Sequence, residues 1–186
     1  VEDDEVGLSV GTNIIIDSDG RRCCWDKRRN NVYDATAAVY RTFDEFLQKR
    51  CRIAFESDDF GDYGKLIVRN HVPNGYFVRQ SLMRKAPFFD PDAPLEDWWF
   101  HLQLSKLTRY RHIDDETFCY RWHGANTATD SDKMARMAEA TLFRERNLLL
   151  ARGDPVWLAV ARKAFRHVQV ARRINFGLGR ISIKEV

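Results

Sequence analysis

Val6 to Ile16 runs almost unbroken in β-branched and small apolar residues and then meets Asp17-Ser-Asp-Gly20. The run shows no helical stripe, so it reads as a buried strand, and the Asp/Ser/Gly cluster after it is a strong turn signal. Arg21 to Trp25 is the expected return strand of a hairpin. A strand apolar on both faces needs cover on both sides, which points to a layered α/β arrangement.

The rest of the chain supplies that cover. Ala38, Val39, Phe43, Phe46 and Leu47 recur at helical spacing and predict a helix between Asp34 and Cys51. Lys65 to Val68 reads as a short strand, and Tyr76 to Lys85 as a turn into a helix. Leu95, Trp98, Trp99 and Leu102 make an i, i+3, i+4, i+7 stripe on a helix that starts at Pro94 and ends near Leu107. Arg109 to Ile113 and Phe118 to Trp122 read as two short strands around the acidic turn Asp114-Asp-Glu116. Ser131 is placed to cap a helix running to about Ala151. Gly153-Asp-Pro155 breaks it, and a further helix covers 155–174. The expected domains are therefore an α/β body over 1–129 and a C-terminal helical hairpin over 130–186.

With 186 residues, 44% of them hydrophobic, the chain has material for one substantial core. Charged residues make up 31%, mean hydropathy is −0.49, and no run nears the ~18 apolar residues of a membrane span, so a soluble protein is expected. Val1 to Val6 has neither the basic nor the apolar part of a signal peptide. The chain also opens without methionine, as if processed or cut from something longer. Cys23 and Cys24 are adjacent while Cys51 and Cys119 stand alone, a pattern of reduced cytoplasmic thiols rather than a disulfide framework or zinc site. The net charge of +3 conceals an asymmetry: −4 over 1–100, +1 over 101–149 and +6 over 150–186. A basic tail suits an anionic neighbour, and equally the solvated face of an ordinary terminal helix. No nucleic-acid motif accompanies it, and the pI is only about 8.7, so nucleic acid is not an expected partner.

From residue types alone, Glu96 and Asp97 have two readings. Acidic residues in a first turn complement the helix dipole, and a carboxylate where a loop opens into a helix can also serve as a general base. His123 stands at the end of a predicted strand before a Gly/Asn loop, where ligand sites gather in α/β sheets, although a lone histidine is often structural. Asp17-Ser-Asp19 matches a bare D-x-D, but its hairpin context makes it a turn. The chain has no GxGxxG, GxxxxGK[ST] or HExxH, and no serine sits in a nucleophile elbow: Gly7-Leu-Ser-Val-Gly11 has the letters G-x-S-x-G but lies inside the predicted strand.

Taken together the pieces resemble family-2 glycosyltransferases. Phe88-Phe-Asp-Pro-Asp-Ala-Pro-Leu-Glu-Asp-Trp-Trp-Phe-His-Leu102 is similar to that family's G-F-D-E…E-D-W-D-L-W-L-R stretch. His112-Ile-Asp-Asp-Glu-Thr-Phe-Cys-Tyr-Arg-Trp-His-Gly-Ala-Asn-Thr127 is similar to its Y-I-D-E-P-L-V-Y-Y-R-x-H-G-x-N-x-S stretch, in the same order. Glu5-Val-Gly-Leu8 through Asp17-Ser-Asp-Gly20 resembles its strand and hairpin P-E-V-G-L-V…D-E-D-G. The likeness spans about residues 5–127.

The resemblance implies a GT-A fold, a nucleotide-sugar donor, a divalent cation (Mn²⁺ or Mg²⁺) and an inverting displacement. On it, Asp97 falls at the general-base position with Glu96 as its motif partner. Asn74, Gly75, Trp98 and Arg121 fall where donor or acceptor contacts are made, and His123 where some members contact the metal. Two departures stand out: Trp99 replaces the second aspartate of E-D-W-D, and the family's D-x-D has no counterpart at its proper place. Asp3-Asp4 is nearer to that place than Asp17-Ser-Asp19 but lacks a preceding apolar strand. The chain thus reads as the C-terminal half of such a domain, with the nucleotide-binding half upstream of Val1. The implied acceptor is a saccharide or lipid-linked one in surface polysaccharide or glycolipid synthesis. The implied location is cytoplasmic, with the basic helix over 155–174 able to rest on the inner membrane face; the plainer reading of that helix is an apolar face covering the domain core. The alternative is a non-catalytic transferase-like module that binds sugar or a partner.

Overall fold

A computed structural model of the chain describes residues 5–85, 90 and 93–172, with side chains as far as 164. Asp3, Asp4, Phe88, Phe89, Pro91 and Asp92, used in the sequence reading, lie outside the described residues, as do residues 173–174 and the side chains of 165–172 in the expected basic helix.

The apolar run is the strand β1 (Val6–Ile16), and it organises an open mixed sheet. It is buried along nearly its whole length and pairs along both edges. On one edge β2 (Arg22–Trp25) pairs antiparallel to its C-terminal end, Ile15 opposite Cys23, and continues to β3 (Asn31–Val32). On that edge's other half β4 (Tyr76–Val78) pairs antiparallel, Leu8 opposite Val78. Along the other edge runs β5 (Arg109–Arg121), parallel to β1. The two short strands expected around Asp114-Asp-Glu116 are this one strand. Gly11 faces Ile113 while the next residue, Thr12, already faces Glu116, so the acidic residues form a bulge in the ladder rather than a turn. Gly11 is what the bulge requires, because a side chain there would run into Thr117 and the Asp115 carbonyl.

The helices are α1 (Phe43–Cys51), α2 (Tyr63–Leu66), α3 (Gln80–Met83), α4 (Glu96–Leu104), α5 (Ser131–Arg152) and α6 (Pro155–Arg172). Three expectations are corrected. The first helix starts at Phe43, not Asp34, because Thr42 caps it through the Glu45 N–H and residues 35–37 form a turn. Lys65 to Val68 is not a strand: Asp62 caps the Gly64 N–H and starts α2 instead. The cap of α5 is Asp130, whose carboxylate accepts from the Lys133 N–H, with Ser131 as the first helical residue. At its other end Gly153, at φ 60°, takes the left-handed conformation that ends the helix.

The chain divides into two compact units: a sheet unit (Val1–Gly61, His71–Arg84, Thr108–Thr129) and a helical unit (Asp62–Asn70, Lys85–Leu107, Asp130–Val186). They interleave along the chain rather than meeting once at residue 129. In the sheet unit the core gathers Ile15, Cys23, Trp25, Tyr40 and Trp122 under Phe43, Phe46 and Tyr120. Phe43 stacks on Tyr120 at 4.3 Å, and the Arg29 guanidinium lies 4.6 Å from the Trp122 ring centre. In the helical unit α4 is buried from Trp98 to Leu104. Buried Glu145 of α5 accepts from the Tyr63 hydroxyl (2.7 Å), the Gln103 amide (2.6 Å) and the Lys106 ammonium (2.5 Å). A buried carboxylate with three donors is satisfied and ties α2, α4 and α5 together. Among the described residues no helix is long and apolar enough to cross a membrane.

Candidate functional site

In the helical unit the feature of chemical interest is the first turn of α4. Leu95 provides no side-chain cap; its N–H instead donates to Thr141 Oγ1 of α5 at 3.2 Å, so a neighbouring helix holds the start of α4 in place. Glu96 is exposed there, and Asp97 is half-buried. Asp97 Oδ1 accepts from the Trp98 N–H at 2.6 Å and Oδ2 from the Asn70 amide at 3.1 Å. Burial lifts the Asp97 carboxyl above its usual range, and the neighbouring Glu96 charge adds to the rise. The two hydrogen bonds pull the other way. A carboxylate held in place and made more basic than usual is suited to accept a proton. Trp98 is 4% exposed and its indole donates to the Leu66 carbonyl at 2.7 Å, a core position in this unit.

The other residues singled out by the resemblance belong to the sheet unit. The Asn74 carbonyl accepts from the buried Asn13 amide at 2.9 Å. Gly75 has φ 74°, and a side chain on it would collide with Phe118. Arg121 donates to the Asp17 (3.0 Å) and Ser18 (2.7 Å) carbonyls, clamping the β1–β2 hairpin to the end of β5. The His123 N–H donates to Asn126 Oδ1 at 2.5 Å, while its Nδ1 accepts from the Ala125 N–H at 3.2 Å. One imidazole nitrogen is thus committed to a local turn. The hairpin itself is built on Asp17, which accepts from Tyr33, Asp19 and Arg21; the Tyr33 hydroxyl bond is the largest influence holding its pKa at about 2.

The sheet unit also contains a constellation that the sequence did not announce. A cavity of about 470 Å³ lies between the 55–58 loop and residues 109–114 of β5. In its wall His112, with a side chain 8% exposed, places Nε2 3.0 Å from Asp44 Oδ1. Asp44 is itself buried, and its Oδ2 accepts the Asn13 N–H at 2.6 Å. Asp44 thus engages Nε2, and Nδ1 is the ring nitrogen away from it. Asp44 reads in sequence as an ordinary first-turn acid of α1 and His112 as one histidine among five without ligand spacing. Only the packing of α1 against β1 brings them together.

The divalent cation implied by the resemblance needs a cluster of such ligands. Among the described residues no group of three or more His, Cys, Asp or Glu side chains is placed to hold a metal ion, so the residues present do not fit one. No family model matches the chain, and no curated protein or solved structure matches it either.

Proposed function

We propose that the chain is the C-terminal part of the GT-A catalytic domain of an inverting glycosyltransferase, with Asp97 as its general base. The observation that carries this reading is the setting of Asp97: half-buried in the first turn of α4, basicity raised by burial, and orientation held by Asn70 and the Trp98 N–H. A sugar hydroxyl is a poor nucleophile until a carboxylate takes its proton. In the proposed step Asp97 accepts the proton of an acceptor hydroxyl as its oxygen bonds the anomeric carbon. The bond from that carbon to the nucleoside diphosphate breaks, and the configuration inverts. The nucleotide sugar, its cation and a saccharide or lipid-linked acceptor enter through the resemblance alone. So do a role in surface polysaccharide or glycolipid synthesis and a cytoplasmic setting, with 155–174 against the inner membrane face.

The test is transfer from labelled nucleotide sugars to a membrane-lipid extract with Mn²⁺ or Mg²⁺. The polypeptide used includes the coding sequence upstream of Val1 wherever that encodes an apolar strand followed by D-x-D. Asp97→Asn is expected to lower turnover by about 10²-fold or more while leaving donor binding intact. Undiminished turnover in that variant overturns the role of Asp97, and no transfer from any donor overturns the enzyme reading. The second reading is a non-catalytic transferase-like module that binds sugar or a partner. Calorimetry with Mn²⁺ and nucleoside diphosphates separates the two.

A further inference from the structure

We infer that the cavity beside Asp44 and His112 is a saccharide-binding subsite, built independently of the Asp97 turn. The choice of sugar as ligand rests on the proposed function; the existence of the site rests on its construction.

The wall is fixed from several directions. Phe55, 3% exposed, stacks on the His112 ring at 4.4 Å and 23°. Phe60, 4% exposed, stands edge-on to Phe55 at 5.3 Å and to His112 and Tyr110, each at 6.4 Å. Gly61, at φ 78°, lets the end of this loop close on Tyr110, where any side chain would strike the tyrosine ring. Two buried phenylalanines and a left-handed glycine therefore anchor the loop against β5. On the opposite side Asp44 holds His112 Nε2, and Asp44 is in turn held by the Asn13 backbone. Nδ1 is the ring nitrogen left for a ligand, with Asp114 Oδ1 4.0 Å from it. The volume falls within the range of small-molecule pockets, roughly 300–1,000 Å³.

The lining chooses the ligand class. Glu56, Asp58 and Asp114 are the acidic residues of the lining, and Arg109, which pairs with Glu5 at 3.1 Å, and Arg111 are the basic ones. An anion meets the three carboxylates and a cation meets the two guanidiniums, whereas a neutral polyol finds partners in both. Carboxylates and guanidiniums give sugar hydroxyls charge-assisted hydrogen bonds, the stronger kind.

The test follows the His112 ring protons by NMR while the full chain is titrated with the methyl glycosides of glucose, galactose, mannose and rhamnose. Spermidine and inorganic phosphate serve as cation and anion probes. The expected result is a saturable shift with at least one glycoside at millimolar concentration and none with the two ions. Asp58→Ala and Glu56→Ala, at exposed positions, are expected to weaken that binding about tenfold with folding unchanged. His112→Gln is expected to abolish it, with the Tyr110 ring signals used in place of the histidine's. No saturable shift with any glycoside, or a shift produced by spermidine or phosphate instead, overturns the assignment. Binding is read without turnover, so the two proposals fail separately. A chain that transfers sugar without these shifts loses only the subsite, and one that shows them without transfer loses only the enzyme reading.

Discussion

His112 Nε2 lies 3.0 Å from Asp44 Oδ1, two side chains 68 residues apart in the chain and both almost wholly withdrawn from solvent. Asp44 also terminates the buried Asn13 N–H, so one carboxylate satisfies a backbone donor of the central strand and a ring nitrogen of the parallel strand beside it. Removing it leaves both donors without an acceptor. At about 1–3 kcal/mol for each buried group left unsatisfied, Asp44→Ala is expected to cost about 2–4 kcal/mol. Asp44→Asn, which keeps one acceptor oxygen, should cost less. Urea unfolding of the two variants checks the order; a loss below about 0.5 kcal/mol for Asp44→Ala would show that water replaces the carboxylate freely.

The basicity of Asp97 predicts a pH profile. Its carboxyl is raised above 3.8 by burial, so the acid limb of the proposed transfer reaction lies above the usual carboxylate range. Turnover falls as pH drops through the raised value, because a protonated Asp97 cannot accept the acceptor's proton. Asn70 donates to the ionised form and lowers the value. Asn70→Ala therefore moves the acid limb to higher pH, whereas Asn70→Asp, which adds a like charge, moves it further. An acid limb unmoved in both variants would separate Asn70 from the base.

Asp17 responds in the opposite sense. Its folded pKa of about 2, against 3.8 for a free aspartate, is set first by the Tyr33 hydroxyl at 2.5 Å and then by the Arg21 contacts. A folded value below the unfolded one stabilises the fold fully above about pH 4, and that contribution is lost as pH falls toward 2. Tyr33→Phe should raise the Asp17 value toward 3.8 in a carboxyl NMR titration and shift acid unfolding to higher pH. A value that stays near 2 would assign the depression to Arg21 and the turn N–H groups alone.

Glu145 has three donors and a side chain 1% exposed. Glu145→Ala strands the Lys106 charge, only 8% exposed, and leaves the Tyr63 and Gln103 donors empty; a loss of about 3–5 kcal/mol is expected. Pairing Glu145→Leu with Lys106→Met removes both charges and should recover much of that loss. A double variant no more stable than Glu145→Ala would mean that the hydrogen bonds to Tyr63 and Gln103 dominate.

Two glycines offer a contrast. Gly75, at φ 74° with Phe118 against it, should lose about 1–3 kcal/mol on substitution by alanine, and Gly124, with open space around it, about 0.5 or less. Thermal unfolding of both variants is the measure, and equal losses would contradict the close approach at Gly75.

Elements whose signal is local can be read directly from the order of the residues. The β-branched run of β1, the Asp17 to Gly20 turn, the aromatic stripe of α4 and the Gly153 break are all visible in spacing and turn chemistry, and each stands near its expected place. The exceptions have one cause. Lys65 to Val68 looked like a strand because four residues carry no usable period, and the Asp62 cap decided for helix. The Asp114-Asp-Glu116 cluster looked like a turn because nothing local shows a bulge, which exists only opposite Gly11 of β1. The same division holds for the chemistry. Glu96 and Asp97 were legible because motif and helix start coincide in sequence, but the Asn70 amide that orients Asp97 and the burial that raises its basicity are tertiary. The Asp44–His112 pair had no sequence signal at all. Its two members acquire meaning only when α1 packs on β1 and β5 runs beside that strand, because a hydrogen bond between distant residues is written in the fold rather than in either neighbourhood.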